Sequence, residues 1–193
     1  MIRKIISKED EEKRRKRNSI IVGIILVSIM VLSTVGYGFG TNFGQNSNSA
    51  TTLNYNGYDF IYSNGLWIVN VSENTFGFAS NPNEVYNISS ETGILTDYSG
   101  KILYLYSENS EAESEILRNL YIISSGIIYA CPEGQNCGDE IPAKSCDNNF
   151  IIIREKSETN VYSDKGCRYI EGSAENLVKI TDGFLMKIIG IKK

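Results

Sequence analysis

The longest apolar segment of the chain comes early and is preceded by a cluster of basic residues. Ile20 to Phe39 form a run of twenty residues without a charge. Residues 1–18 contain eight Lys or Arg, five of them consecutive in "KRRKR" at 13–17. About twenty helical residues span a hydrocarbon core that is about 30 Å thick. The pattern therefore predicts a transmembrane helix at 19–39, preceded by a basic tail at 1–18.

Two alternatives to a retained anchor are a cleaved export signal and a buried helix of a soluble core. An export signal normally has an apolar region of about 7–15 residues that ends at a small-x-small site, whereas "STVGYGFG" at 33–40 contains no Ala-x-Ala. A core helix normally has a polar face, and this segment has none. Because the basic flank of such a helix normally stays inside the cell, we predict a single-pass protein of the cell membrane. Its N-terminus is cytoplasmic, and its C-terminal part lies outside.

The chain after the apolar segment divides into a polar stretch and one domain. Asn, Ser, Thr and Gly dominate residues 40–57, and such a composition buries too little apolar surface to offset the entropy lost on ordering. We therefore predict a flexible stalk. Residues 58–193 are long enough for one domain with a core of its own.

The charge of this outer part limits its partners. Residues 41–193 contain 11 basic and 19 acidic side chains, which give a net charge of −8. An acidic surface repels phosphate backbones and lacks the basic stripe of nucleic-acid-binding proteins. Nucleic acid is therefore not an expected partner.

The first half of the domain reads mostly as strands. Apolar and aromatic runs separated by polar turn signals predict an antiparallel meander formed by "YDFIY", "LWIVNV" and "FGFAS". "KILYLYS" at 101–107 is a further strand. A helix at 111–124 then follows, because Ser110 and Glu113 have capping-box spacing and Ile116, Leu117 and Leu120 share one helical face.

The second half predicts strands followed by a closing helix. "GIIYAC" reads as a strand after the first helix, and "NFIIIRE", "NVYS" and "CRYIEG" read as three more. Ser173 is predicted to open the last helix, whose buried stripe includes Leu177, Ile180, Phe184 and Ile188. The order of elements predicts an α+β or mixed α/β fold: a meander, a β-α-β unit, three further strands and a C-terminal helix.

Several kinds of chemistry are excluded or weakened by composition. The chain has no histidine, which excludes Ser-His-Asp and Cys-His catalysis and histidine-based metal sites. Asp139, Glu140 and Asp147 lie in one loop, but they lack the alternating spacing of a calcium loop, so we interpret them as solvated acids. We predict no cofactor, no metal site and no catalytic residues.

Four cysteines carry the clearest local signal: Cys131, Cys137, Cys146 and Cys167. On the predicted outer side, thiols oxidise, and an even number of cysteines predicts disulfides. A zinc site or a redox pair is the alternative, but both normally use C-x-x-C, which is absent from the chain.

The predicted strand order suggests how the cysteines pair. If "KSE" at 156–158 is a hairpin turn between "FIIIRE" and "NVYS", antiparallel register brings Cys146 level with Cys167. Cys131 and Cys137 are then left to close the short loop "PEGQN". We therefore predict the pairs Cys146–Cys167 and Cys131–Cys137.

Two sequons also fit an exported chain. Asn70-Val71-Ser72 and Asn87-Ile88-Ser89 have the acceptor pattern for N-glycosylation. Because such tripeptides arise easily by chance in an Asn-rich sequence, Asn70 and Asn87 are candidate acceptors only.

Four segments support a resemblance to a known group of proteins: "NPNEV", "ACPEGQNCGDEIPAKSCDNN", "NVYSDKGCRYIEG" and "VKITDGFLMKIIGI". Over residues 58–191 the chain resembles uncharacterised archaeal proteins that have one N-terminal membrane helix and a four-cysteine extracytoplasmic domain. The resemblance implies the same topology and disulfide bonding, and it implies no activity.

The sequence as a whole favours a membrane-anchored extracytoplasmic binding or interaction domain that belongs to a cell-envelope complex. Its predicted partners are the lipid bilayer, through one helix, and other envelope proteins. The alternative is an envelope thiol-disulfide oxidoreductase, because the β-α-β unit followed by strands and a helix has a loosely thioredoxin-like order.

Overall fold

Within the described part of residues 51–191, the regular elements are two β-sheets, one short strand pair, two α-helices and a short 3₁₀ helix (Leu95–Asp97). The computed structural model describes residues 21, 51–90, 92–138 and 141–191. The predicted cytoplasmic tail and, apart from Ile21, the predicted transmembrane helix lie outside the described residues. Among the described residues, no helix combines the length and the apolar character needed to cross a membrane.

The first sheet is an antiparallel meander of four strands that pair in chain order: β1 (Thr52–Tyr55), β2 (Tyr58–Ser63), β3 (Leu66–Val71) and β4 (Asn74–Phe78). Asn-Gly turns join β1 to β2 and β2 to β3, and their residues all have positive φ, as a type I′ hairpin turn requires. Phe60, Val69 and Phe76 point from this sheet into the core. The predicted meander of three strands is therefore confirmed, and a fourth strand precedes it.

Strand β1 lies inside the segment predicted to be a flexible stalk. The stalk was expected to extend from 40 to 57, but Thr52–Tyr55 pair with β2 in regular register. Leu53 and Tyr55 alternate with polar residues and pack against the core. Two apolar side chains at strand spacing are therefore enough to order this stretch once β2 offers a free edge, and the domain begins before residue 58.

The second sheet has five strands: β5 (Ile102–Ser107), β6 (Gly126–Tyr129), β9 (Phe150–Glu155), β10 (Asn160–Asp164) and β11 (Cys167–Gly172). Their order across the sheet is β10-β11-β9-β5-β6. The pairs β5–β6, β5–β9 and β9–β11 are parallel, and β10 is an antiparallel edge strand. A separate short parallel pair, β7 (Cys131–Pro132) and β8 (Ala143–Lys144), lies in the cysteine-rich loop.

The predicted hairpin between "FIIIRE" and "NVYS" is wrong. These segments are β9 and β10, which do not pair, because β11 lies between them in the sheet. Phe150 to Ile153 in β9 are all fully buried. A continuous apolar run of this kind suits a central parallel strand covered on both faces. A hairpin strand with one solvent-exposed face would instead alternate apolar and polar residues.

The helices pack on one face of the second sheet. Helix α1 (Ser110–Leu120) is capped by Asn109, whose side chain accepts a hydrogen bond from Ala112 N at 3.0 Å, so Ser110 is not the cap that the sequence predicted. Helix α2 (Leu177–Ile189) begins after Asn176 rather than at Ser173 and ends at Gly190, which has a φ of 87°. The four residues of its predicted stripe are buried.

These elements form a mixed α/β fold with an antiparallel sheet, a mixed sheet and a C-terminal helix. Helix α2 is buried nearly all round, which is expected of a helix enclosed by other elements. Its side chains share one core with α1, the first sheet and one face of the second sheet. The opposite face of the second sheet carries Tyr104, Tyr106, Phe150, Ile152 and Tyr169, and the cysteine loop lies against it.

Candidate functional site

Two disulfides hold the cysteine loop against the second sheet. Cys131 bonds to Cys137 with a Cα–Cα distance of 5.8 Å, and Cys146 bonds to Cys167 at 4.8 Å. The predicted pairing is therefore confirmed. Cys131 and Cys167 are buried, whereas Cys137 and Cys146 are half-buried.

The strand arrangement that brings Cys146 to Cys167 differs from the predicted hairpin. Strands β9 and β11 run parallel with Phe150 level with Cys167, so the chain just before β9 meets the first residue of β11. Gly166 N donates to Cys146 O at 2.6 Å. A Cβ at Gly166 would meet Asn148 O and would lie 2.6 Å from Cys146 O, so this close approach requires glycine.

A cleft of about 300 Å³ lies between the cysteine loop and the second sheet. Ile152, Tyr169 and the Cys146–Cys167 disulfide form its apolar part, and Pro132 contributes from the loop. This volume is at the small end of the range for ligand sites. The Cys146–Cys167 bond ties the loop to β11 beside the cleft, which lies on the opposite face of the sheet from the helices.

Arg154 is the most firmly placed charged group in this cleft. Its guanidinium lies 5.4 Å from the centre of the Tyr169 ring, and Nη2 donates to Gln135 Oε1 at 3.2 Å. Tyr169 in turn stacks on Tyr162, with ring centres 4.6 Å apart and planes within 9°. Cation–π contact and stacking hold the planar guanidinium in one orientation.

A short chain of hydrogen bonds supports the Arg154 contact from the side. Gln135 Nε2 donates to the hydroxyl of Tyr106 at 2.6 Å, and that hydroxyl donates to Glu108 Oε1 at 3.3 Å. Burial, with the Glu108 carboxylate next in importance, raises the pKa of Tyr106 above its ordinary value, so the hydroxyl remains a donor. The orientation of the Gln135 amide is thereby fixed, with its oxygen toward Arg154.

Lys144 is the second cation held on an aromatic ring. Its Nζ lies 4.8 Å from the centre of the Tyr104 ring. Among the described residues, neither Lys144 nor Arg154 forms an ion pair, since the pairs present there are Arg118–Glu115 and Lys179–Glu84. Lys165 also lines the cleft, so three cations in an acidic domain present donors to it.

Acidic groups also line this cleft: Glu133, Asp147 and Asp164. Asp147 accepts a hydrogen bond from Ser145 Oγ at 3.3 Å, while Asp139 and Glu140 lie outside the described residues. Within the described ranges, no three His, Cys, Asp or Glu side chains are grouped as metal ligands would be. The three carboxylates make the cleft unsuited to a polyanion. One negative group of such a ligand could pair with a cation, but the carboxylates would repel its other negative groups.

The geometry of the disulfides bears on the redox alternative. Reactive cysteines normally lie at a helix N-terminus or beside a cation and keep one sulfur accessible. Here all four cysteines lie in the loop or at strand ends, and Cys167 is fully buried. Cys146 is the more exposed residue of its pair, and its Sγ lies 3.4 Å from the Tyr169 hydroxyl.

The two sequon asparagines are exposed and lie in different settings. Asn70 is in β3, and its Oδ1 accepts a hydrogen bond from Thr75 Oγ1 at 2.7 Å. Asn87 lies in the irregular segment before residue 90. Neither lines the cysteine-loop cleft, and glycosylation of both remains a prediction.

The core contains a buried acidic pair that the sequence did not predict. Asp182 in α2 and Glu115 in α1 are almost fully buried, and Asp182 Oδ2 accepts a hydrogen bond from Ser80 N at 2.8 Å. Burial, followed by the nearby Glu115 carboxylate, raises the pKa of Asp182 to about 8. The apolar pattern did not indicate Asp182, because it lies two residues from both Ile180 and Phe184 and so about 200° round the helix from the predicted buried stripe.

No protein-family model, curated protein or solved structure matches the chain. The chemistry of the cleft is therefore the best guide to function, because a fold alone does not specify an activity.

Proposed function

We propose that the chain is a membrane-anchored extracytoplasmic binding domain, and that the cysteine-loop cleft binds the carboxylate of a small ligand at Arg154. One observation carries the proposal. The Arg154 guanidinium is fixed by Tyr169 and Gln135, faces a cleft, and has no carboxylate partner among the described residues. A planar fork of donors held in this way matches a carboxylate in two-point geometry.

The surroundings of Arg154 narrow the ligand class. Lys144 and Lys165 add two further positive charges. The net charge of −8 over residues 41–193 disfavours large anions. Glu133, Asp147 and Asp164 accommodate an ammonium group on the same molecule. A small zwitterion, such as an amino acid or the end of a short peptide, fits this distribution and the volume of the cleft.

The anchor and its orientation remain part of the proposal. The basic tail and the apolar segment at 19–39 support a cytoplasmic N-terminus, and the disulfides suit an oxidising compartment. The domain would then display its cleft outside the cell while the helix holds it in the bilayer, with other envelope proteins as partners. The resemblance to archaeal single-pass proteins with four outer cysteines is consistent with this arrangement.

The thiol-disulfide oxidoreductase remains the rival proposal, supported by the position of Cys146 at the cleft. Exchange would require an incoming thiolate to attack Cys146 and release Cys167 as a thiolate. A fully buried leaving group with no adjacent helix N-terminus is poorly stabilised as an anion. Binding is therefore the function that the geometry favours.

Calorimetric titration of the full-length chain in detergent tests the binding proposal. The probes are trialanine with free ends and trialanine amide, with sulfate and phosphate as inorganic anions. We expect trialanine to bind, and the amide to bind at least about tenfold more weakly, because a charge-assisted pair is lost. Equal binding of the two peptides, or preference for either inorganic anion, would contradict the proposal.

A matched pair of variants locates the interaction. Arg154→Gln removes the guanidinium and should reduce trialanine affinity by about tenfold or more. Lys156→Gln removes an exposed positive charge two residues further along and outside the cleft, so it should leave the affinity unchanged. If both variants weaken binding equally, the effect is one of net charge, and Arg154 is not the receptor.

A further inference from the structure

A second and larger cleft, of about 780 Å³, lies at the other sheet. The β1–β2 hairpin contributes Tyr55, Asn56 and Tyr58, and the irregular segment after β4 contributes Asn83 and Asn87. Gly190 and Ile191, which follow α2, close it. We call it the amide cleft, and it shares no lining residue with the cysteine-loop cleft.

The described lining of the amide cleft carries no charged side chain. This is unusual for a domain whose surface is strongly acidic, and it makes the cleft unsuited to an ion. Three asparagine amides supply its polarity instead. Each amide offers two donor hydrogens and an acceptor oxygen, so the cleft can pair with groups that both donate and accept.

These amides are largely unused by the protein itself. Asn56 Nδ2 donates to Ile191 O at 3.0 Å, which holds the hairpin against the end of α2. The side chains of Asn83 and Asn87 are exposed and make no hydrogen bond to the described part of the chain. Two free amides thus face the same opening and remain available to a ligand.

Two tyrosine rings and the buried Val85 complete the lining. Tyr55 and Tyr58 are half-buried, and the Tyr55 ring packs edge-on against Phe60, with centroids 6.4 Å apart and planes at 78°. Packing against a fully buried phenylalanine restricts the ring. A restrained aromatic surface next to free amides provides both an apolar and a hydrogen-bonding contact without a charge.

From this arrangement we infer that the amide cleft binds a neutral carbohydrate. A sugar ring has apolar C–H faces that pack on tyrosine, and its hydroxyls both donate and accept, as asparagine amides do. The volume of the cleft lies within the range typical of small-molecule sites. A charged ligand finds no partner among the described lining residues, and a purely apolar one would leave the amides unpaired.

A glycan on Asn87 would interfere with any measurement of sugar binding to the amide cleft. Asn87 belongs to a predicted sequon and also lines the amide cleft, so a glycan attached there would compete with a bound sugar. The full-length chain should therefore be produced in a host that does not glycosylate asparagine, and mass spectrometry should verify the unmodified mass. Binding then reports on the cleft and not on an attached glycan.

Saturation-transfer NMR and titration with maltotriose, cellotriose and the trimer of N-acetylglucosamine test the inference. We expect at least one neutral trisaccharide to bind, and Asn83→Ala and Asn87→Ala each to weaken it about five- to tenfold, as the loss of one hydrogen bond predicts. Asn70→Ala, which alters the other sequon asparagine outside the cleft, should have no effect. Thermal unfolding of each variant establishes that the fold is retained, since Asn83 and Asn87 are exposed.

Three outcomes would overturn the inference: no binding of any of the three sugars, binding that Asn83→Ala and Asn87→Ala leave unchanged, or tighter binding of a trigalacturonate probe than of every neutral sugar. The Arg154→Gln variant distinguishes this site from the carboxylate site. It should weaken trialanine binding by about tenfold or more and preserve sugar binding, so either proposal can fail without the other.

Discussion

The buried carboxyl groups of Glu115 in α1 and Asp182 in α2 are neighbours in the core. Arg118 Nη1 donates to Glu115 Oε1 at 2.6 Å and forms an ion pair with it. Asp182 Oδ1 is buried and has no hydrogen-bond partner among the described residues, and burial together with the nearby Glu115 carboxylate raises the pKa of Asp182. The pair joins α1 to α2 and, through Ser80 N, to the end of the first sheet.

This pair predicts that the domain loses stability as the pH rises. The pKa of Asp182 is about 8 in the folded chain and about 3.9 when unfolded. Between these values the folded state binds the extra proton, so the free energy of unfolding falls with a slope of up to about 1.4 kcal/mol per pH unit. The contribution is fully present below about pH 4 and is lost as the pH passes about 8.

The Asp182→Asn variant checks this assignment. An amide keeps the shape and the hydrogen bond from Ser80 N without titrating, so urea unfolding should show a shallower decline between pH 4 and 8. Glu175→Gln, which changes an exposed acid just before α2, should keep the original slope. A wild-type slope in Asp182→Asn would show that another group takes up the proton.

Gly166 and Gly126 form a matched pair for testing the approach of the cysteine loop. Ala at 166 would place a Cβ against Asn148 O and 2.6 Å from Cys146 O, so the backbone around the disulfide has to shift. We expect Gly166→Ala to lower the free energy of unfolding by about 2–4 kcal/mol. Gly126→Ala meets no atom within 4 Å and should change it by less than about 1 kcal/mol.

Chemical unfolding of both variants measures this difference directly. If Gly166→Ala were as stable as Gly126→Ala, the loop would have to accommodate a methyl group, and the close contact of Gly166 N with Cys146 O would not be a constraint. A lower trialanine affinity in Gly166→Ala would further link this backbone contact to the shape of the cleft.

Local patterns in the sequence predicted most of the elements, because each strand or helix is encoded by neighbouring residues. The cysteine pairing was also predicted correctly, although from the wrong strand arrangement. The evidence against the hairpin was present in the sequence. Phe150 to Ile153 are four consecutive apolar residues, and such a run indicates a central parallel strand rather than a hairpin arm with one wet face.

The two clefts, by contrast, are formed by residues that only the tertiary structure brings together. Arg154, Gln135 and Tyr106 lie far apart in the chain, and only the order β11-β9-β5 with the loop on top brings them together. The amide cleft combines a hairpin from the first sheet with residues that follow α2. Spacing along the chain carries no information about such groupings, because hydrophobic periodicity specifies a face and not the element that it meets.

The predicted topology has a direct test in intact cells. If the segment at 19–39 anchors the chain with its N-terminus inside, protease added outside should digest residues after Phe39 and spare the basic tail. An epitope tag at each terminus shows separately whether the N-terminal and the C-terminal part is digested. A C-terminal tag that stays protected until lysis would contradict the prediction, provided that a known outer protein is digested in the same sample.

The two disulfides should contribute unequally to stability. In the chain-entropy model the stabilisation grows with the length of the closed loop. The Cys146–Cys167 bond spans a separation of 21 residues and Cys131–Cys137 spans 6, which corresponds to about 3 and about 2 kcal/mol respectively. Replacing each pair with serines and measuring urea unfolding should reproduce that order.

Thiol labelling of single variants then separates the structural and redox proposals. Cys146→Ser should leave Cys167 as a thiol that is labelled slowly under native conditions, because that residue is fully buried, and quickly after denaturation. Cys131 and Cys137 should stay bonded throughout, as mass mapping of their shared peptide would show. For the wild-type chain, rapid native labelling after mild reduction, together with disulfide exchange on a model substrate, would support the oxidoreductase. Bonds that resist mild reduction support a binding domain whose loop is fixed by its disulfides.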